Sequence, residues 1–135
     1  MKIQIATDYA IRILQHLHKN EGALQTAMTI ATATGVTYPF FIKIANQLKK
    51  HKLLNSVQGR NGGYALGMPA REISIYQVLL SIQGELNLRD NELEDCAFYF
   101  VLDQLRDNMV AELSRVSIAD LTEADSKGGA DADKT

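Results

Sequence analysis

With a single cysteine, Cys96, this chain has no internal disulfide, and no second thiol is present to build a cysteine-based metal or cluster site within one chain. Tryptophan is absent and only two prolines occur. No apolar stretch reaches the roughly 18 residues a membrane span needs, and the N-terminus shows no signal-peptide pattern, so a soluble, cytoplasmic protein without membrane partners is expected. No Walker loop, nucleophile elbow or HExxH motif occurs. His16 and His18, two apart on one helix, point to different sides and read, with His51, as surface histidines. No metal, no cofactor and no enzymatic activity are therefore expected. What is present is globular material for about one domain: 135 residues, 46% hydrophobic and 22% charged.

The net charge of −2 conceals an asymmetry. Residues 1–71 hold nine Lys and Arg against two acids, and residues 72–135 hold five against fourteen. A dipole of this kind draws a polyanion to one end, so the overall negative charge does not argue against nucleic-acid binding. Five of the nine basic residues of the first segment fall between Lys43 and Arg60.

Ala6, Tyr9, Ala10, Ile13, Leu14 and Leu17 recur at helical spacing and predict a first amphipathic helix over about 4–18. A short second helix starts at a Thr26 cap and runs to about Ala33, with Gly35 in the turn. A third begins near Thr37, tolerates Pro39 in its first turn, buries Phe41, Ile44, Ala45 and Leu48, and ends around Lys50. Two strand-like runs, 53–58 and 64–66, flank Gly59-Arg60-Asn61-Gly62-Gly63, and Asn-Gly between apolar strands signals a tight turn with positive φ. After Pro69, a Ser74-x-x-Gln77 capping box opens a fourth helix that stops at Gly84. Residues 92–116 predict a long helix of roughly 37 Å at about 1.5 Å per residue. Its start, Cys96 to Leu102, is apolar almost all round, so something covers a second face. Ser117-x-x-Asp120 opens a last short helix, and the tail from about Ser126 reads as disordered.

Two adjoining helices, a short turn and a hairpin make the order of a winged helix-turn-helix. With the core stripe of the third helix assigned, Lys43, Gln47 and Lys50 form its outer face, a polar and basic surface that fits the major groove. Phe40 and Ile42 fall off that stripe, where an apolar side chain touches a thymine methyl. Arg60 at the tip of a glycine-rich hairpin suits the narrow minor groove, and Lys49, Lys50, His51 and Lys52 suit phosphates.

Thr7-Asp8-Tyr9-Ala10-Ile11-Arg12, Gly35-Val36-Thr37, Ile44 to Lys50 and above all Gly59-Arg60-Asn61-Gly62-Gly63-Tyr64-Ala65-Leu66-Gly67 together resemble the Rrf2 family of bacterial transcription regulators, over nearly the whole chain to about Asp125. The resemblance implies a homodimeric winged-helix repressor whose long helix crosses its partner's and whose wing arginine enters the minor groove. Many such proteins hold an iron–sulfur cluster on three closely spaced cysteines before the long helix. Here only Cys96 stands in line with the last of them, and Glu85 to Asp95 offers acids and no thiols. Asp8 matches a position from which the nitric-oxide-sensing branch supplies an acidic ligand, but one carboxylate cannot replace two thiolates. Cys96 is expected as a packed core thiol, with a sensor role as the alternative. Gln58 stands where many members have an arginine, and Ile42 and Lys43 take places often polar in relatives.

The expected fold is thus mainly α with a small β-hairpin wing. A winged helix-turn-helix domain over 1–84 is followed by a linker, a long dimerisation helix and a short helix over 85–125, then a tail over 126–135. The expected partner is double-stranded DNA, contacted by Thr37, Tyr38, Phe40, Lys43, Gln47, Lys49, Lys50, Gln58, Arg60 and Asn61. A homodimer is expected through Phe98, Val101, Leu102, Leu105, Met109 and Leu113. The alternative is a winged-helix module that binds protein rather than DNA, and a third reading adds a small-molecule effector between the wing domain and the long helix.

Overall fold

A computed structural model describes residues 2–89 and 96–132. Residues 92–95, expected to begin the long helix, and the end of the expected tail, 133–135, lie outside the described residues. Three helices come first: α1 (Ile5–Lys19), α2 (Ala27–Thr34) and α3 (Tyr38–Lys50). The helical spacing places Ala10, Ile13, Leu14 and Leu17 of α1 against Ile30 and Ala31 of α2 and against Phe41, Ile44, Ala45 and Leu48 of α3, all buried in one core. Thr26 and Thr37 cap α2 and α3 by accepting hydrogen bonds from the Thr29 and Phe40 amides. Between the two helices Gly35 takes a left-handed φ of 77°, which turns the chain without a Cβ penalty.

α3 ends in a Schellman-type closure. The Lys52 amide donates to Lys49 O at 3.0 Å and the Leu53 amide to Leu48 O at 3.0 Å, with Lys52 itself at a φ of 61°. Glycine or asparagine usually fills such a position, because a larger side chain strains it.

β1 (Leu54–Val57) and β2 (Gly63–Leu66) pair antiparallel, with Leu54 opposite Leu66 and Val57 opposite Gly63. The connection is longer than the tight turn expected. The Gly62 amide donates to Gly59 O at 3.1 Å, with Arg60 and Asn61 at the apex, and positive φ falls on Gly59 (108°), not on Asn61 or Gly62. Gly62 is required instead by close approach, since a Cβ there would run into Val57 O. β2 also pairs with Gln25, just before α2: the Gln25 amide donates to Tyr64 O at 3.2 Å and the Tyr64 amide to Gln25 O at 2.7 Å. The wing is thereby joined to the helix-turn-helix. His16, expected as a surface histidine, is half-buried and bonds Gln25 Oε1 through Nε2 at 2.6 Å.

Past a 3₁₀ turn at Ala70–Glu72, α4 (Ile75–Gln83) begins with the expected Ser74–Gln77 capping box and stops at Gly84. Gln83 Oε1 accepts from the Gln4 amide and from Thr7 Oγ1, which ties down the N-terminal segment. α5 (Ala97–Arg115) is about 28 Å long and fully buries none of its residues.

α6 (Ile118–Ala132) opens with reciprocal Ser117–Asp120 bonds and folds back onto the first body. The Ile75 amide donates to Val116 O and the Ile118 amide to Ile73 O, both at 2.8 Å, and Ile118 is wholly buried in the same core as Ile73. Gln15 Nε2 donates to Asp125 at 2.9 Å, linking α1 to α6. The last helix therefore packs with residues 1–84 and not with the arm it was grouped with. It also continues past Ser126, where disorder was expected. Ser126 Oγ bonds Thr122 O, and Lys127 pairs with Glu123 one turn away, local ties that composition alone does not reveal.

Two stability predictions follow from these geometries. A Cβ on Gly63 would lie 2.5 Å from Gln25 O, an atom held by the Gln25–Tyr64 pair, so Gly63→Ala is expected to lose about 1–3 kcal/mol in urea unfolding; no loss would mean the joint yields freely. Lys52→Asn, which suits the left-handed conformation, is expected to gain roughly 1 kcal/mol in the same measurement.

Candidate nucleic-acid interface

The side chains of α3 that remain exposed are Tyr38, Pro39, Lys43, Asn46 and Lys50. Pro39, Lys43, Asn46 and Lys50 fall at i, i+4, i+7 and i+11, one stripe along the helix. Asn46 is the residue sequence reasoning missed. Its spacing from Lys43 and Lys50 was the available signal, but the outer face had been assigned to Gln47. Gln47 is half-buried, in a small recess of about 140 Å³ shared with Gln4, Phe40 and Ile82. Lys49 is half-buried, and Thr37 is exposed with its hydroxyl engaged as the cap.

Phe40 does not reach outward as expected. Its ring stands edge-on to Tyr9 at 5.8 Å and packs against the core, as does Ile42. Phe40 is off the stripe facing the first core, yet Tyr9 of α1 covers it from the side.

In the wing, Gln58, Arg60 and Asn61 are all exposed. The hairpin and the start of α3 are neighbours: Tyr38, Ser56, Gln58, Gly59 and Tyr64 line one cleft of about 250 Å³. Tyr64 stands edge-on to Phe41 at 5.1 Å, fixing the wing to the buried side of α3. Burial, with Tyr38 as a second cause, holds the Tyr64 phenol above its ordinary value, so it stays an O–H donor.

Charge pairing is uneven over the molecule. Among the described residues the ion pairs engage Arg12, His18, Arg89, Arg106, Arg115 and Lys127. Lys43, Lys49, Lys50, Lys52 and Arg60 are in none of them. These cations are thus free to meet an external anion.

The expected dimer residues divide. Phe98 (64% exposed), Val101 (59%) and Leu105 (47%) form an outward stripe, joined by Phe100 (71%), which the sequence reading did not include. Leu102, Met109 and Leu113, which follow Phe98, Leu105 and Met109 by four residues, are half-buried on the adjoining edge of the helix, and Leu113 packs against the core. Arg106 and Arg89 fasten that inner side: Arg106 Nε donates to Leu86 O at 2.8 Å, and the Arg89 guanidinium sits 4.7 Å from the Tyr99 ring centre. Cys96 is exposed, against the expectation of a packed thiol. It lies one residue before α5 in extended backbone, and in the apolar run that follows Phe98, Phe100 and Val101 face outward. A separate cleft of about 510 Å³ lies between the end of α1 and β2, walled by Leu17, Leu24, Leu66 and Met68, with no residue of α5 in its lining.

Comparison with known proteins agrees with this geometry. The family described as Rrf2, iron-dependent transcriptional regulator, matches residues 3–124. An HTH-type transcriptional regulator of Mycobacterium tuberculosis is 32% identical over 130 residues, spanning 90% of this chain and 81% of its own length. Protein aau3 of Rhizobium meliloti is 38% identical over 79 residues, which is 58% of this chain but only 51% of that protein. The structure of CymR (YrzC), the global cysteine regulator of B. subtilis, superposes with a TM-score of 0.80 at 22% identity, covering 91% of this chain and 97% of that one, a likeness of fold.

The iron in the family's description finds no matching donor set among the described residues. The chain has one thiol, Asp8 is paired with Arg12 at 3.1 Å, and no group of three or more His, Cys, Asp or Glu comes together there. Nor is any helix among them long and apolar enough to cross a membrane. The match over residues 3–124, the helix-turn-helix relatives and the winged fold lead to one conclusion: the chain belongs to the Rrf2 family of DNA-binding transcriptional regulators.

Proposed function

We propose that the protein is a repressor that binds an inverted-repeat operator as a homodimer. The observation that carries this reading is the set of cations on α3, its C-terminal turn and the wing tip that form no ion pair among the described residues. α3 enters the major groove, where Lys43 and Asn46 meet base edges. Lysine suits guanine O6/N7 and asparagine suits adenine N6/N7. Lys49, Lys50 and Lys52 meet phosphates, and Arg60 enters the adjoining minor groove.

The exposed Phe98, Phe100, Val101 and Leu105 give α5 an apolar face too large to leave in water, and a second copy's α5 is its complement. Two heads joined in this way read half-sites about one helical turn apart, roughly 34 Å. Repression follows from occupancy, since a duplex covered by both heads is closed to polymerase. No catalytic step enters this reading, and such a protein acts in the cytoplasm.

Titration of a selected duplex at several salt concentrations tests the DNA assignment. Lys50→Ala is expected to weaken every sequence alike and to lower the slope of log affinity against log salt by about 0.9. Asn46→Ala is expected to leave the slope alone and relax discrimination at one base pair by about 1–3 kcal/mol. For the dimer, Val101→Glu is expected to convert the protein to a monomer in sedimentation and to cut operator affinity more than tenfold; a variant that stayed dimeric would remove α5 from the interface.

A further inference from the structure

A winged helix that lays α3 in the major groove and Arg60 in the neighbouring minor groove must let one sugar–phosphate strand pass between them, because that strand is the boundary of the two grooves. In this chain the passage is the cleft of about 250 Å³ between the starts of α2 and α3 and the wing. We propose that this cleft seats a backbone phosphate, and that the neutral hydroxyls of Tyr38, Ser56 and Tyr64 hold it in place of lysine or arginine. The inference rests on the DNA reading above and deepens it.

Several features of the walls support it. No Lys or Arg lines the cleft, although Arg60 stands two residues from Gln58 at its edge. Thr26 has its hydroxyl engaged with Thr29, where it also caps α2, so the hydroxyls the walls offer are those of Tyr38, Ser56 and Tyr64. Gly59 forms part of the lining and a Cβ there would meet open space, so the hairpin backbone is bare to an approaching strand at that point. Tyr38 is 48% exposed, open to an approaching duplex. The Tyr64 ring is held by Phe41 and its backbone by Gln25, so its place in the wall is determined before any ligand arrives. A phenol O–H is a donor, as a phosphate oxygen requires, and burial holds the Tyr64 phenol above its ordinary value.

A hydroxyl that binds a phosphate does not neutralise it and so releases no counterion condensed on the duplex, which distinguishes it from a cation. The experiment uses a duplex that the purified protein selects from a random pool. Tyr38→Phe, Tyr64→Phe and Ser56→Ala, which keep the rings and the fold, are each expected to weaken binding by about threefold to tenfold. The salt slope stays that of the wild type, unlike that of Lys50→Ala. Placing an uncharged methylphosphonate at successive positions of the duplex should find one phosphate per half-site whose replacement costs the wild type affinity but costs the Tyr38→Phe, Tyr64→Phe double variant little more. If the double variant binds like the wild type while Lys50→Ala does not, the hydroxyl seat is wrong and the DNA reading stands. A lowered salt slope in the double variant also refutes the seat. If the wild type selects no duplex at all, both fail.

Discussion

Tyr64 holds two parts of the molecule at a set separation. Its backbone exchanges both hydrogen bonds with Gln25, at the entrance to α2, while its ring stands against Phe41 on the buried side of α3. A two-stranded hairpin in water is marginal by itself. Here the third extended segment and the aromatic contact convert it into a rigid extension of the helix-turn-helix. The distance between the recognition helix and Arg60 is thereby a property of the core rather than of a loop. Gly63 permits the joint, since any Cβ would push Gln25 away, and His16 steadies Gln25 from α1.

Much of this was legible in one dimension. α1, α3 and α4 follow from apolar spacing, and Thr26, Thr37, Gly35 and the Ser74–Gln77 box from local bonding that involves only neighbours in sequence. What was not legible depends on partners far along the chain. Asn61-Gly62 is compatible with a tight turn, but the register of β1 on β2 adds residues to the loop and moves the positive φ to Gly59. Phe40 lies off the stripe facing the first core, yet Tyr9 arrives from α1 at an angle no local pattern encodes. The six apolar residues read as one dimer seam on α5 differ in burial, because Leu86 and α4 cover the edge that holds Leu102, Met109 and Leu113. Cys96 shows the same limit: hydrophobic neighbours in sequence do not bury a thiol when their helix faces outward.

Charge is arranged with similar economy. The arginines beyond residue 80 sit within reach of carboxylates or aromatic rings, whereas the lysines around the end of α3 form no ion pair among the described residues. Lys52 adds a cation in a backbone conformation that an asparagine or glycine would occupy with less strain. An acidic protein can thus present one strongly attractive end to a polyanion while its remainder repels the same ligand and limits how it approaches.

The closure of Ile118 onto Ile73 has a further bearing on biosynthesis. The first head is incomplete until its last helix arrives, because Ile118 fills the centre of a core whose other members end at Ile82, and the Ile75 and Ile118 amides find their partners only across that gap. A nascent chain halted anywhere before the sixth helix has the reading surface in its sequence but lacks the wall that supports it, and sequence-distant closure of this sort is the slow step of assembly. The winged head is therefore complete only once the chain through α6 is made, with α5 already synthesised.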